Sequence, residues 1–110
     1  MKKTTLNNNA IAAEIALKYL NALKKRQINV ISAYIFGSYA KGIPNKWSDI
    51  DLALIVNNYI GDEFNFQTIL NKIIIETKLY DIEVHPFLAD EFDDSNPFAL
   101  EILKTGKRLI

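Results

Sequence analysis

The chain contains no cysteine. Disulfides and thiolate metal sites are thereby excluded, and a reducing compartment is the expectation. It lacks an excess of either charge: 13 basic residues face 13 acidic ones, so bulk charge does not mark a nucleic-acid binder and no direct nucleic-acid contact is expected. Glycine and proline are few, 4 and 3, and no repeat, low-complexity tract or linker interrupts the chain. No apolar run approaches the ~20 residues that span a bilayer. Lys2 and Lys3 are followed by polar Thr4 to Asn9 rather than by a signal-peptide core. The expectation is a cytoplasmic protein with no membrane partner. It comprises one domain over residues 1–110, with a core just large enough to be stable alone.

What is present reads as alternating elements. Asn7-Asn8-Asn9 offers a helix N-cap. After it Ile11, Ile15, Tyr19 and Leu23, with Leu20 beside them, predict a helical face. Lys24, Lys25 and Arg26 fall in the last turn, where positive charge suits the helix dipole and where a phosphate patch is the alternative. Val30 to Phe36 and Leu52 to Val56 are β-rich and apolar, as strands covered on both faces are. Asp62-Glu63 opens a second helix, with Phe66, Ile69, Leu70, Ile73 and Ile74 as its apolar face and Lys78 near its end. Ile75 extends the apolar run, to a second buried side or to a partner-binding face. Tyr80 to Phe87 alternates and predicts a third strand ended by Pro86. Asn96-Pro97 caps and starts a last helix, running to Lys104 and terminated by Gly106, and Lys107 to Ile110 makes a short edge strand. The fold class is α/β, with helices packed on a small sheet.

The stretch FGSYAKGIPNKWSDIDLALIV, Phe36 to Val56, carries the chemistry. Asp49 and Asp51 stand two apart at the mouth of an apolar strand, so both point to one face with Cα atoms roughly 6.6 Å apart, at about 3.3 Å per residue. Two anions on one face repel and resist burial, and a divalent cation between them is the economical remedy, since Mg²⁺ prefers carboxylate oxygens. Gly37-Ser38 closes the preceding strand. Its glycine permits close backbone approach, and free N–H groups at such a turn suit phosphate. A bare Asp-x-Asp is ordinarily a solvent-facing strand entry and a bare Gly-Ser a turn. Together they suggest a nucleoside triphosphate held by its phosphates and metals. On the third strand Asp81 and Glu83 share one face. Glu83, set deeper, is favoured as the third carboxylate, with Asp81 as the alternative and a solvent-facing edge as the bland one. His85 shares that face and is expected to stand behind the ligands. Trp47 is a surface anchor or, alternatively, a base-stacking ring.

Gly37-Ser38, ten residues, then Asp49-Ile50-Asp51 resembles the Gly-Ser-x10-Asp-x-Asp pattern of the polymerase β-like nucleotidyltransferases. In length the chain is similar to the minimal nucleotidyltransferases, typically the antitoxin halves of HEPN toxin–antitoxin pairs. The resemblance covers Val30 to Phe87. It implies that fold, a small mixed sheet with packed helices, and catalysis by Asp49, Asp51 and Glu83 holding two Mg²⁺ ions. Gly37, Ser38 and Lys41 would then hold the triphosphate. Where many minimal members have Ser-Arg-x-Arg-Gly, this chain has Ser38-Tyr39-Ala40-Lys41-Gly42. Tyr39 replaces one arginine and Lys41 keeps a single charge that meets phosphate as a point rather than a fork.

The resemblance implies transfer of AMP from ATP to a hydroxyl, with a tyrosine of a cognate HEPN toxin as acceptor and partner. A non-catalytic antitoxin that works by contact alone is the rival. Nucleotidylation of a small molecule is a third reading, against which stands the shortness of the chain. Homo- and hetero-oligomeric states both remain open.

Overall fold

The computed structural model of the chain describes residues 8–37, 40 and 49–110. Of the residues singled out above, Asn7, Ser38, Tyr39, Lys41, Gly42 and Trp47 lie outside them. Along the chain come α1 (Asn8–Lys25), β1 (Ser32–Phe36), β2 (Ile50–Val56), α2 (Glu63–Thr77), β3 (Ile82–Leu88), a 3₁₀ turn (Ala89–Glu91), α3 (Pro97–Thr105) and β4 (Lys107–Arg108). The strands form one sheet in the order β3-β2-β1-β4. β2 is antiparallel to β1, β4 is antiparallel to β1, and β3 is parallel to β2. The expected mixed sheet with packed helices is therefore what the chain adopts.

Strand alternation gives β2 two different faces. Ile50, Leu52, Leu54 and Val56 are buried in the main core with α1 and α2. Ala53 and Ile55 point the other way, into a smaller cluster with Phe36 and Ile102 of α3. Asp51 belongs to this second face by its spacing, at the end where β2 begins.

The buried stripe of α1 is Ala12, Ala16, Tyr19, Leu20 and Leu23, while Ile11 is 43% exposed and Ile15 only partly buried. The expectation of a stripe starting at Ile11 is corrected by helix geometry. Each four-residue step overshoots a turn by about 40°, so three steps carry Ile11 about 120° from Leu23. Alanines take over at the N-terminal end of the stripe. Arg26 donates to the Ala22 carbonyl (3.2 Å) and to Glu76 in the last turn of α2 (3.0 Å). Its partner is thus a carboxylate.

Asp62 caps α2 by accepting from the Asn65 N–H at 2.7 Å, and Lys78, in the left-handed conformation, closes it. Phe66, Leu70, Ile73 and Ile74 are buried, whereas Ile75 is 63% exposed, so the apolar run does not make a second buried side. The Tyr19 hydroxyl donates to the Leu70 carbonyl across the α1–α2 contact (2.9 Å), and Gln67 Nε2 donates to the Val84 carbonyl (3.2 Å).

β3 continues through Pro86 to Leu88, where an end at Pro86 was expected. The strand lies at the edge of the sheet, so a missing N–H on its outer side costs no ladder bond. Asn96 caps α3, accepting from the Phe98 and Ala99 N–H groups, with Pro97 in the first turn. Gly106 ends that helix in an extended rather than left-handed conformation. Glycine is needed there for space: a Cβ would sit 2.5 Å from the Ile102 carbonyl oxygen and 3.2 Å from that of Ile35.

Candidate active site

Three strand segments converge at this end of the second face. β1 finishes at Phe36 and turns at Gly37, β2 begins at Ile50, and β3 begins at Ile82. The register sets Asp51 opposite Phe36 on one side and Glu83 on the other, and sets Ala53 opposite His85. Asp51, Glu83 and His85 therefore rise from one face, on neighbouring strands at neighbouring positions.

Their side chains meet. His85 Nε2 lies 3.3 Å from Asp51 Oδ1 and 3.3 Å from Glu83 Oε1. One donor atom from each of the three residues falls within 4.8 Å of the others. Asp51 and His85 are partly buried, and Glu83 is the most open of the three, with 56% of its side chain exposed. The imidazole is positioned by rings: Phe36 packs edge-on at 5.1 Å between centroids and Phe98 of α3 at 6.3 Å. Phe98 in turn meets Phe36 and Phe87, each at 5.5 Å.

Gly37 is fixed by two separate demands. Its φ of +74° is one that side chains rarely adopt. A Cβ on it would also run into the Asp51 carboxylate, with Oδ2 nearest. The turn and the carboxylate thus occupy adjoining space.

Asp49 is exposed and immediately precedes β2. Ile50, between the two aspartates, is buried in the core as alternation requires. Asp81 lies exposed in the turn before β3, where its backbone carbonyl accepts the Ile50 N–H at 2.7 Å. Neither Asp49 nor Asp81 is a member of the three-residue donor group. Of the two carboxylates weighed as the third, Glu83 is the one beside Asp51. His85 was expected behind the ligands, yet its nitrogen stands among the donor atoms. The alternation of Glu83 and His85 along β3 placed both on one face, and the pairing with β2 brings Asp51 to them.

A carboxylate pair bridged by an imidazole, open to solvent and flanked by a tight glycine turn, is a donor set able to hold a divalent ion. The chain is 34% identical over 87 residues to a Methanocaldococcus jannaschii protein that carries the provisional name protein adenylyltransferase; the match covers 74% of this chain and 58% of that relative's length. A provisionally named nucleotidyltransferase from Sulfolobus solfataricus shares its fold with a TM-score of 0.60 at 19% identity, over 81% of this chain and 82% of that one. A mutant of the MntA-HpeT toxin-antitoxin superposes with a TM-score of 0.60 at 19% identity, over 86% of this chain and 71% of that one. Residues 18–110 match the family model described as polymerase beta, nucleotidyltransferase. The chain belongs to the polymerase β nucleotidyltransferase family.

Proposed function

We propose that the protein transfers AMP from ATP to a hydroxyl group, that the acceptor is a tyrosine of a HEPN-type toxin, and that it acts as that toxin's antitoxin. The observation that supports this most is the meeting of Asp51 and Glu83 beside the Gly37 turn, within a chain of this family. The name of the Methanocaldococcus jannaschii relative and the toxin-antitoxin setting of one structural neighbour point the same way.

Each residue then has a task. The backbone N–H groups after Gly37, with Ser38 and Lys41, hold the triphosphate, since free amides at such a turn suit phosphate oxygens. Asp49, Asp51 and Glu83 would hold two Mg²⁺ ions, and the carboxylates at the strand mouth fit such ions. Bound there, the ions neutralise phosphate charge and ease ionisation of the attacking hydroxyl. The acceptor oxygen forms a bond to the α-phosphorus, the bond from that phosphorus to the bridging oxygen breaks, and pyrophosphate leaves. Glu83, the most open carboxylate of the cluster, takes the hydroxyl proton.

The test is an intact-mass measurement on the purified protein mixed with a HEPN-type toxin, ATP and Mg²⁺. The HEPN protein should gain the mass of one or more AMP groups on tyrosine, and Asp51→Asn should abolish the gain. Toxin neutralised with its mass unchanged would show a contact-only antitoxin instead.

A further inference from the structure

We propose that the Asp51–Glu83–His85 cluster selects a divalent ion of the first transition series over Mg²⁺, with His85 Nε2 as the selecting ligand, an inference that rests on the metal-bearing role proposed above. The two carboxylates alone would make an oxygen site of the kind Mg²⁺ shares with any hard cation. The imidazole changes that balance. Its Nε2 is equidistant, at 3.3 Å, from Asp51 Oδ1 and Glu83 Oε1, so nitrogen and oxygen donors address one small volume. Mg²⁺ gains little from a nitrogen ligand, whereas transition ions bind imidazole well and rise in affinity along their series. The ring is held by Phe36 and Phe98 through apolar edges, which keep its Nε2 end toward the carboxylates. Register adds a further constraint: Glu83 and His85 alternate on β3 beside Asp51 and Ala53. The small Ala53, opposite His85, leaves the imidazole room beside Asp51.

A different role for His85 makes the opposite forecast. If the imidazole only balances carboxylate charge, it competes with any cation, and removing it strengthens Mn²⁺ and Mg²⁺ binding alike.

Mn²⁺ is the probe, applied to the tag-free chain. His85 is the only histidine in the sequence, so any imidazole nitrogen coupled to bound Mn²⁺ in pulsed electron paramagnetic resonance belongs to it. We expect that coupling in the wild type. Titrations should give a Mn²⁺ affinity well above that for Mg²⁺, and His85→Gln should lower the ratio by about tenfold, in line with the sensitivity of metal sites to their surrounding ligands. Bound Mn²⁺ without nitrogen coupling, or an unchanged ratio in His85→Gln, overturns the inference. Asp51→Asn separates the two levels. If it binds both ions as the wild type does, the metal-bearing role itself fails. If it loses both while His85→Gln keeps the ratio, only selection by His85 fails. Should His85→Gln not fold, the nitrogen coupling of the wild type decides alone.

Discussion

The two oxygens of Asp51 face different neighbours. Oδ1 is turned to His85 and Oδ2 to the space above Gly37. Asp51→Asn keeps the shape and removes the charge, so transfer should fall to background while the melting temperature holds or rises slightly as carboxylate repulsion is relieved. Asp49→Asn should behave alike, and activity equal to wild type in both would refute the two-metal assignment. Gly37→Val is expected to fail for a different reason. It places a β-branched residue at a positive φ and drives its Cβ into the Asp51 carboxylate. Strain of about 1–3 kcal/mol should lower the melting temperature as well as activity, at about 4–8 °C per kcal/mol for a domain of this size. A melting temperature unchanged in Gly37→Val would mean that the turn is placed wrongly. At this scale the sequence pointed to the Asp51–Glu83 pair that the strands bring together, while Asp49 stands outside that group. Asp49, Asp51 and Glu83 stand out because alternating strands cannot hide carboxylates in an apolar run without a purpose. The contact of His85 with both acids was not legible, because it depends on parallel pairing of β2 with β3, which no local pattern states.

Helix α2 belongs to the main core, packed with α1 on the face of the sheet opposite the site. Leu70 is buried against α1, and its carbonyl accepts the Tyr19 hydroxyl. Leu70→Ala should cost about 2–5 kcal/mol, whereas Ile75→Lys on the exposed side should stay within about 0.5 kcal/mol. Chemical denaturation distinguishes them, and a large loss in the Ile75 variant would mean that this side is covered. Tyr19→Phe should cost about 1 kcal/mol at neutral pH. Burial holds the Tyr19 hydroxyl well above the usual tyrosine range, and the Arg26 charge offsets only part of that. A raised folded pKa gives stability that is present below the unfolded value, about 10, and lost as pH rises above it. The stability gap between wild type and Tyr19→Phe should therefore narrow above pH 10, by up to about 1.4 kcal/mol per pH unit. A gap that stays constant to pH 11 would contradict the buried hydroxyl. Most element boundaries were legible from caps and from period: Asp62, Asn96 and Pro97 open helices where expected. The failures were tertiary. Pro86 reads as a strand end unless β3 is known to be an edge, and Ile11 reads as core unless the drift of a four-residue spacing is followed along the helix.

In the whole molecule, transfer and partner binding need not share a surface. Glu83→Gln should lose transfer and still capture the HEPN protein, whereas Ile75→Lys should weaken capture while leaving the site's metal affinity intact. Pull-down paired with intact mass reads both, and loss of capture in Glu83→Gln alone would join the two jobs at one surface. The parallel register of β2 and β3 has a consequence for how such a chain can change length. Side chains alternate along β3, so one residue inserted or deleted between Ile82 and His85 would turn Glu83 or His85 inward and Ile82 or Val84 outward. The same frame error that dismantles the carboxylate cluster exposes core isoleucine and valine. Selection against unfolded protein therefore screens the strand for single-residue length errors before any demand for activity applies; changes by pairs keep both faces but carry Glu83 or His85 about 6.6 Å along the strand from Asp51, so activity screens those.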